Sequence, residues 1–185
     1  MNRRNLLALG LAPAGAAALR LRAAVSAAPI AGLAPLAAAG WALSPLDARA
    51  HHGWSSFDQE RPLYLEGRAA KVAWRNPHAE LELELPANPR MPADLATRSL
   101  PPQSVAVDGP ALLRAARLPT RQERRWVVEL APLTRMSAWK VAEIKPGDTV
   151  AVLGFTFTGE KGDALLRAEF LWSGGAVYGL RSAPA

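Results

Sequence analysis

Between Ala79 and Leu85 the chain alternates without a break, Ala79-Glu80-Leu81-Glu82-Leu83-Glu84-Leu85. Successive side chains of a β-strand point to opposite faces, so a period of two puts the leucines on one side and the glutamates on the other. A helical period would scatter the same leucines around a cylinder. The segment therefore reads as a strand with its leucines on a core and its glutamates in water, and such a strand needs partners. The same period recurs elsewhere. Segment 63–74 begins with Leu63 and Leu65 on one parity and ends with Ala70, Val72 and Trp74 on the other. The change falls near Gly67, where a bend or bulge is expected. Over 125–131, Trp126, Val128 and Leu130 alternate inward. Segments 149–157 and 164–172 read as two further strands joined by a polar hairpin turn at 158–163, and 176–180 as a short last strand after Ser173-Gly174-Gly175.

One helix interrupts the strands. Leu133, Met136, Val141 and Ile144 recur at helical spacing over 133–144, with Thr134 as its candidate cap. Lys145-Pro146-Gly147-Asp148 stops it, since proline cannot continue a helix and glycine supplies a turn. This order predicts a mainly β fold: a small OB-like Greek-key barrel of five to six strands with one helix between strands 3 and 4. A generic antiparallel sandwich with one helix is the alternative. Residues 86–124 break the pattern with Pro86, Pro89, Pro92, Pro101, Pro102 and Pro110. This proline-rich insertion is long for a connection in a compact domain. Within it, Asp108-Gly109-Pro110 precedes 111–118 as a capped short helix. A solvated insertion packed on one barrel face and a lid or partner-binding element are the two readings of it.

The first fifty residues read as an export signal. Arg3 and Arg4 stand just before apolar residues in a twin-arginine-like start, without the usual Ser/Thr before the pair or Lys after it. The apolar runs 5–19 and 23–46 follow, and Ala48-Arg49-Ala50 is a small-x-small cleavage site. A retained transmembrane anchor is the competing reading, because 23–46 carries no charge and is long enough to span a bilayer. Pro29, Pro35, Pro45 and the cleavage site oppose it. The expected organisation is thus a signal peptide over 1–50 and a single β-barrel domain over 51–185, periplasmic or secreted, with the membrane met only during export or if the signal is retained. The net charge of +6 follows the same division. Five arginines against Asp47 give residues 1–50 a net of +4, and 17 basic against 15 acidic groups leave 51–185 at +2. So nearly neutral a mature chain argues against a nucleic-acid partner. With no cysteine, disulfide frameworks, thiolate nucleophiles and iron–sulfur clusters are excluded.

Several short motifs occur together: His51-His52-Gly53-Trp54-Ser55-Ser56-Phe57-Asp58, Leu65-Glu66-Gly67, Val72-Ala73-Trp74-Arg75-Asn76-Pro77-His78, Trp126-Val127-Val128-Glu129, Trp139 and Lys145-Pro146-Gly147-Asp148. In these the chain resembles a widespread family of small secreted bacterial proteins of unknown function. The resemblance covers nearly all of 51–180 outside the insertion. It implies export and a small β domain, and no particular activity.

The three histidines are His51, His52 and His78. Cleavage after Ala50 would give His51 a free α-amine, which with its ring nitrogen can chelate a metal. A further imidazole would complete a nitrogen-rich site suited to Cu(II), and less distinctively to Ni(II) or Zn(II). His78 lies in the turn between the first two strands, a loop that belongs to the binding face of OB-type barrels. Trp54, Trp74 and Asn76 are its expected neighbours on that face. The plainer reading makes His51 and His52 a solvated terminus and His78 a turn residue. Ser55, Ser56 and Asp58 lack a nucleophile-elbow pattern, Glu80, Glu82 and Glu84 read as a wet outer face, and Gly159 and Gly162 flank no helix start. Arg121, Arg124 and Arg125 beside Trp126 would suggest single-stranded nucleic acid only in a cytosolic barrel. The expectation is an exported, non-catalytic binding protein, with copper at His51, His52 and His78. The alternative is a metal-free interaction module that holds another exported protein or a small ligand through the barrel face.

Overall fold

The structure, a computed structural model, describes residues 53–185. The expected signal peptide over 1–50, and His51 and His52, lie outside the described residues. Six strands follow in chain order: β1 (Leu63–Ala73), β2 (Glu80–Glu84), β3 (Arg125–Glu129), β4 (Thr149–Phe155), β5 (Leu165–Ser173) and β6 (Ala176–Gly179). Each coincides with a segment read as a strand from the sequence. Their order in the sheet is β3-β2-β1-β4-β5-β6, and an additional parallel pairing of β3 with β5 closes the first five into a barrel. This is the strand order of an OB-type barrel, and β6 is an extra strand on β5.

The alternating leucines explain the closure. Leu81, Leu83 and Leu85 point inward with Leu63, Leu65, Trp126, Val128, Leu130, Val150, Val152, Leu166 and Leu171, all essentially without solvent exposure. The parity change in β1 is a register irregularity between Ala69 and Lys71 against β2. Gly67 serves close approach: a Cβ there would lie 2.2 Å from the Glu84 carbonyl oxygen. Gly154 in β4 is held the same way, 2.2 Å from the Arg167 carbonyl oxygen.

The outer side of the barrel is not uniformly wet. Glu82 bridges Lys71 at 3.0 Å and Arg125 at 3.2 Å, and Glu84 is half-buried, but Glu80 is only 5% exposed. The expectation that all three glutamates face water is corrected at Glu80, which is buried beside Glu129. The 86–124 segment also covers the barrel. Its helix α1 (Gly109–Ala115) is capped by Asp108, whose Oδ1 accepts from the Ala111 amide at 2.9 Å. Leu95, Leu113 and Ala116 pack on outward-facing Tyr64, Ala151, Leu153 and Phe170 in a second core. β4 and β5 are therefore buried on both faces, as their near-continuous apolar sequence requires. The segment is tied down where it returns. Arg117 exchanges backbone hydrogen bonds with Pro62 and Tyr64. Buried Glu160 accepts from the Thr120 amide and hydroxyl and the Arg121 amide, and pairs with Arg61 at 2.8 Å.

The helix between β3 and β4, α2, spans Leu133–Ala138 and is shorter than the expected 133–144. The difference is a left-handed residue. Lys140 has φ 54°, its amide bonds Ser137 O, and the Val141 amide bonds Met136 O. These are the two crossed bonds of a Schellman end, which terminates a helix whatever hydrophobic spacing lies beyond. Pro132 precedes α2, and no side chain caps it, so Thr134 is not its cap.

The alternation in β2 is directly testable. Leu83 is fully buried, so Leu83→Ala should cost about 2–5 kcal/mol in chemical denaturation. Glu82→Ala, which removes two largely exposed cationic partners' counter-charge, should cost less than about 1 kcal/mol. Equal losses would disprove the facing assigned to β2.

Candidate functional site

His78 ends the loop between β1 and β2, just before the strand begins. Ala79 is fixed to the end of β3 by two backbone bonds, Ala79 N to Ala131 O at 3.0 Å and Leu130 N to Ala79 O at 2.8 Å. Side chains two apart on a strand share a face, so His78 and Glu80 share the outer side. Register does the rest: Glu80 pairs with Glu129 across β2–β3, and Glu129 with Arg167 across β3–β5. Four chemistry-bearing side chains, from two strands, a strand entrance and the closing strand, thus meet outside the barrel wall.

Their distances are short. His78 Nδ1 lies 3.4 Å from Glu129 Oε1, and Arg167 Nη1 lies 3.3 Å from the same oxygen. Arg167 Nη2 stands 3.4 Å from His78 Nε2. Glu129 is completely buried and neither of its oxygens receives a well-formed hydrogen bond. A buried carboxylate in that condition is expensive to ionise. Burial, with Glu80 adding to it and Arg167 opposing, pushes the Glu129 carboxyl up to about 7. Burial first, then Arg167 and Arg135, pulls His78 below the ordinary histidine value. The contact between them is therefore that of a neutral imidazole rather than an ion pair.

The beginning of the described chain closes over this cluster. Trp54–Ser56 forms one turn of 3₁₀-helix, and Asp58 N bonds Thr156 O at 2.9 Å. Phe57 stacks on Phe157 with ring centroids 5.2 Å apart, and Trp54 meets Phe155 edge-on at 6.3 Å. Two guanidinium groups lie on the Trp54 ring, Arg181 at 4.0 Å and Arg167 at 4.7 Å from its centroid. Arg181 in turn donates to Glu169 at 2.7 Å, and Gln103 from the insertion donates to the other Glu169 oxygen at 3.2 Å. Glu169, wholly buried, is also held above the usual carboxylate range, mainly by burial.

The structure thus brings two of the sequence-identified residues, Trp54 and His78, onto one arginine. Trp74 is half-buried against the barrel core. Asn76 accepts from the first amide of α2 (Leu133 N, 3.3 Å), which holds the Asn76-Pro77-His78 loop against that helix. Among the described residues no group of three or more His, Asp or Glu side chains could hold a metal ion. Glu129, Arg167, Glu169 and Arg181 were missed by sequence reasoning. The signal was the pair Arg167 and Glu169 alternating inside the otherwise apolar 165–171. Arg121, Arg124 and Arg125 are not an open basic patch: Arg121 chelates Glu123 at 2.6 and 3.2 Å, and Arg125 and Arg124 reach Glu82 and Glu84.

A family model described as "Family of unknown function (DUF6152)" matches residues 41–91. The matched stretch carries all three histidines, Trp54 and the Asn76-Pro77-His78 loop, and ends before β3. No curated protein and no solved structure matches the chain.

The two shifted groups have opposite effects on stability. Between about 4.5 and 7 the folded chain holds a proton on Glu129 that the unfolded chain has released, so stability falls as pH rises. Glu169 acts in the same sense. Below the ordinary histidine value the unfolded chain binds a proton that buried His78 refuses, so there stability rises with pH. Melts across pH 5–8 should show Glu129→Gln gaining stability with rising pH relative to wild type, on the order of 2–3 kcal/mol. His78→Gln should show a steeper decline. Parallel profiles for all three proteins would contradict the buried, neutral pair.

Proposed function

We propose that the chain is an exported, non-catalytic binding protein, that its working face is the outer barrel face bearing Trp54, His78, Glu129 and Arg167, and that its ligand is a copper ion held by His51, His52 and His78. One observation carries this reading: Trp54, three residues after His51, lies on the same guanidinium that stands at His78 Nε2. Three residues span at most about 11 Å, which is the reach the copper reading asks of the chain between His51 and Trp54.

The chemistry of His78 supports it. A metal needs a neutral imidazole, and burial favours that form at neutral pH. Glu129 Oε1 stands 3.4 Å from Nδ1, so the reading asks this carboxyl to draw in and hold the Nδ1–H, leaving the other nitrogen's lone pair for a metal. That lone pair belongs to Nε2, where Arg167 stands at 3.4 Å. Copper would displace this guanidinium, which keeps Glu129 and Trp54 as partners. The free amine and ring of His51 would supply nitrogen donors of the kind Cu(II) favours. Trp74 and Asn76 would then shape the loop, and the ion would be carried, buffered or passed to an exported partner.

The test is copper titration of the chain beginning at His51, with spectroscopy and thermal melts. His78→Ala should weaken binding about tenfold or more and remove most of the copper-induced rise in melting temperature, since a terminus alone binds folded and unfolded chains alike. Arg167→Gln, which removes the competitor at Nε2, should bind at least as tightly as wild type. Equal affinity and equal thermal shift in wild type and His78→Ala would overturn the copper reading. A second reading, a metal-free module binding an exported protein or small ligand on this face, is favoured by the positive charge of Arg167 and Arg135 near His78. It takes over if copper fails.

A further inference from the structure

A cavity of about 650 Å³ opens where β1 and β2 part company, and it shares no residue with the His78 cluster. β1 pairs with β4 over Leu63–Arg68 but meets β2 only from Arg68 onward. Gly67 lies against the Glu84 and Leu85 backbone, Glu66 has no paired residue on the β2 side, and β2 leaves through Leu85 and Pro86. The wedge between them is walled by Asn88, Pro89 and Arg90 of the insertion and by Leu118 where it returns.

The lining is apolar on one part and cationic on another. Pro86, Pro89 and Leu118 supply the apolar surface, and Arg68, Arg90 and Arg124 the positive charge. The two acidic residues in the lining are already engaged. Glu66 accepts the Tyr64 hydroxyl at 2.6 Å, and Glu84 faces Arg124 at 3.6 Å and Arg125 at 3.8 Å. Arg68 donates only to the Gly147 carbonyl, at 3.1 Å, and Arg90 has neither an ion pair nor a hydrogen bond among the described residues. A concave site of this size, mostly apolar with a few fixed charges, is the usual form of a small-molecule site. Guanidinium groups favour carboxylate, sulfate or phosphate heads.

We propose that this wedge binds a small amphipathic anion, its charged head at Arg68 and Arg90 and its short apolar tail along Pro86, Pro89 and Leu118. The probe is octyl sulfate, with octyl glucoside as an uncharged control of equal tail length, both kept below micelle formation. Binding is followed by calorimetry and by amide NMR shifts on the chain beginning at His51. Octyl sulfate should bind at least tenfold more tightly than octyl glucoside, with shifts centred on 66–68, 84–90 and 118. Arg90→Glu and Arg68→Glu should each weaken octyl sulfate at least fivefold at unchanged melting temperature, because both side chains are exposed. His78→Ala should bind it as wild type does, which separates this site from the copper reading. Equal affinity for the two probes, shifts centred elsewhere, or undiminished binding in both arginine variants would each overturn the proposal.

Discussion

The parallel contact of β3 with β5 is the constraint on which the rest depends. It is only three residue pairs long, Val127 with Leu165, Val128 with Leu166 and Glu129 with Arg167. Closing a five-stranded sheet removes its edges and gives Trp126, Val128 and Leu166 a sealed interior. The same registration sets a carboxylate and a guanidinium side by side on the outside. Barrel closure and assembly of the polar cluster are one event, and a slip of one residue would turn Glu129 toward the core.

That cluster shows how an outward-facing position becomes an interior one. Parity sends Glu80, Glu129, Arg167 and Glu169 away from the barrel core, but the chain around Trp54, the His78 loop and the insertion cover them. Charges under such a cover are expensive unless they neutralise or pair. Glu129 answers by its raised pKa, and Glu169 by Arg181 and Gln103.

Strands were legible because one face of each is apolar and the other, at least in sequence, is polar. Leu81, Leu83 and Leu85 are the clearest case, and the inward facing assigned to Trp126, Val128 and Leu130 holds as well. The helix over 133–144 was overread because Val141 and Ile144 are buried from non-helical chain, and hydrophobic spacing does not register the left-handed turn at Lys140. Glu80 was read as solvent-facing for a different reason, and the polar turn over 158–163 gave no sign that Glu160 is buried. The groups that bond Glu160 come from Arg61, Thr120 and Arg121, 39 or more positions away, and local pattern carries no trace of such partners. His78 and Trp54 were found by residue type, whereas Arg167, which joins them, was hidden inside a strand.

The anchoring of the insertion changes what its length means. Its outgoing limb is stitched to the barrel through Leu95, its middle through Leu113 and Ala116, and its return through Arg117 and the Glu160 carboxylate. The loop-closure penalty of a flexible chain grows only with the logarithm of its length. Here one long excursion is divided into several short spans, each beginning and ending on the barrel. Residues within a span can be added or removed without loosening the next. The segment behaves as independent panels fixed to a common frame, so its outer surface is free to diversify while the barrel beneath keeps its register.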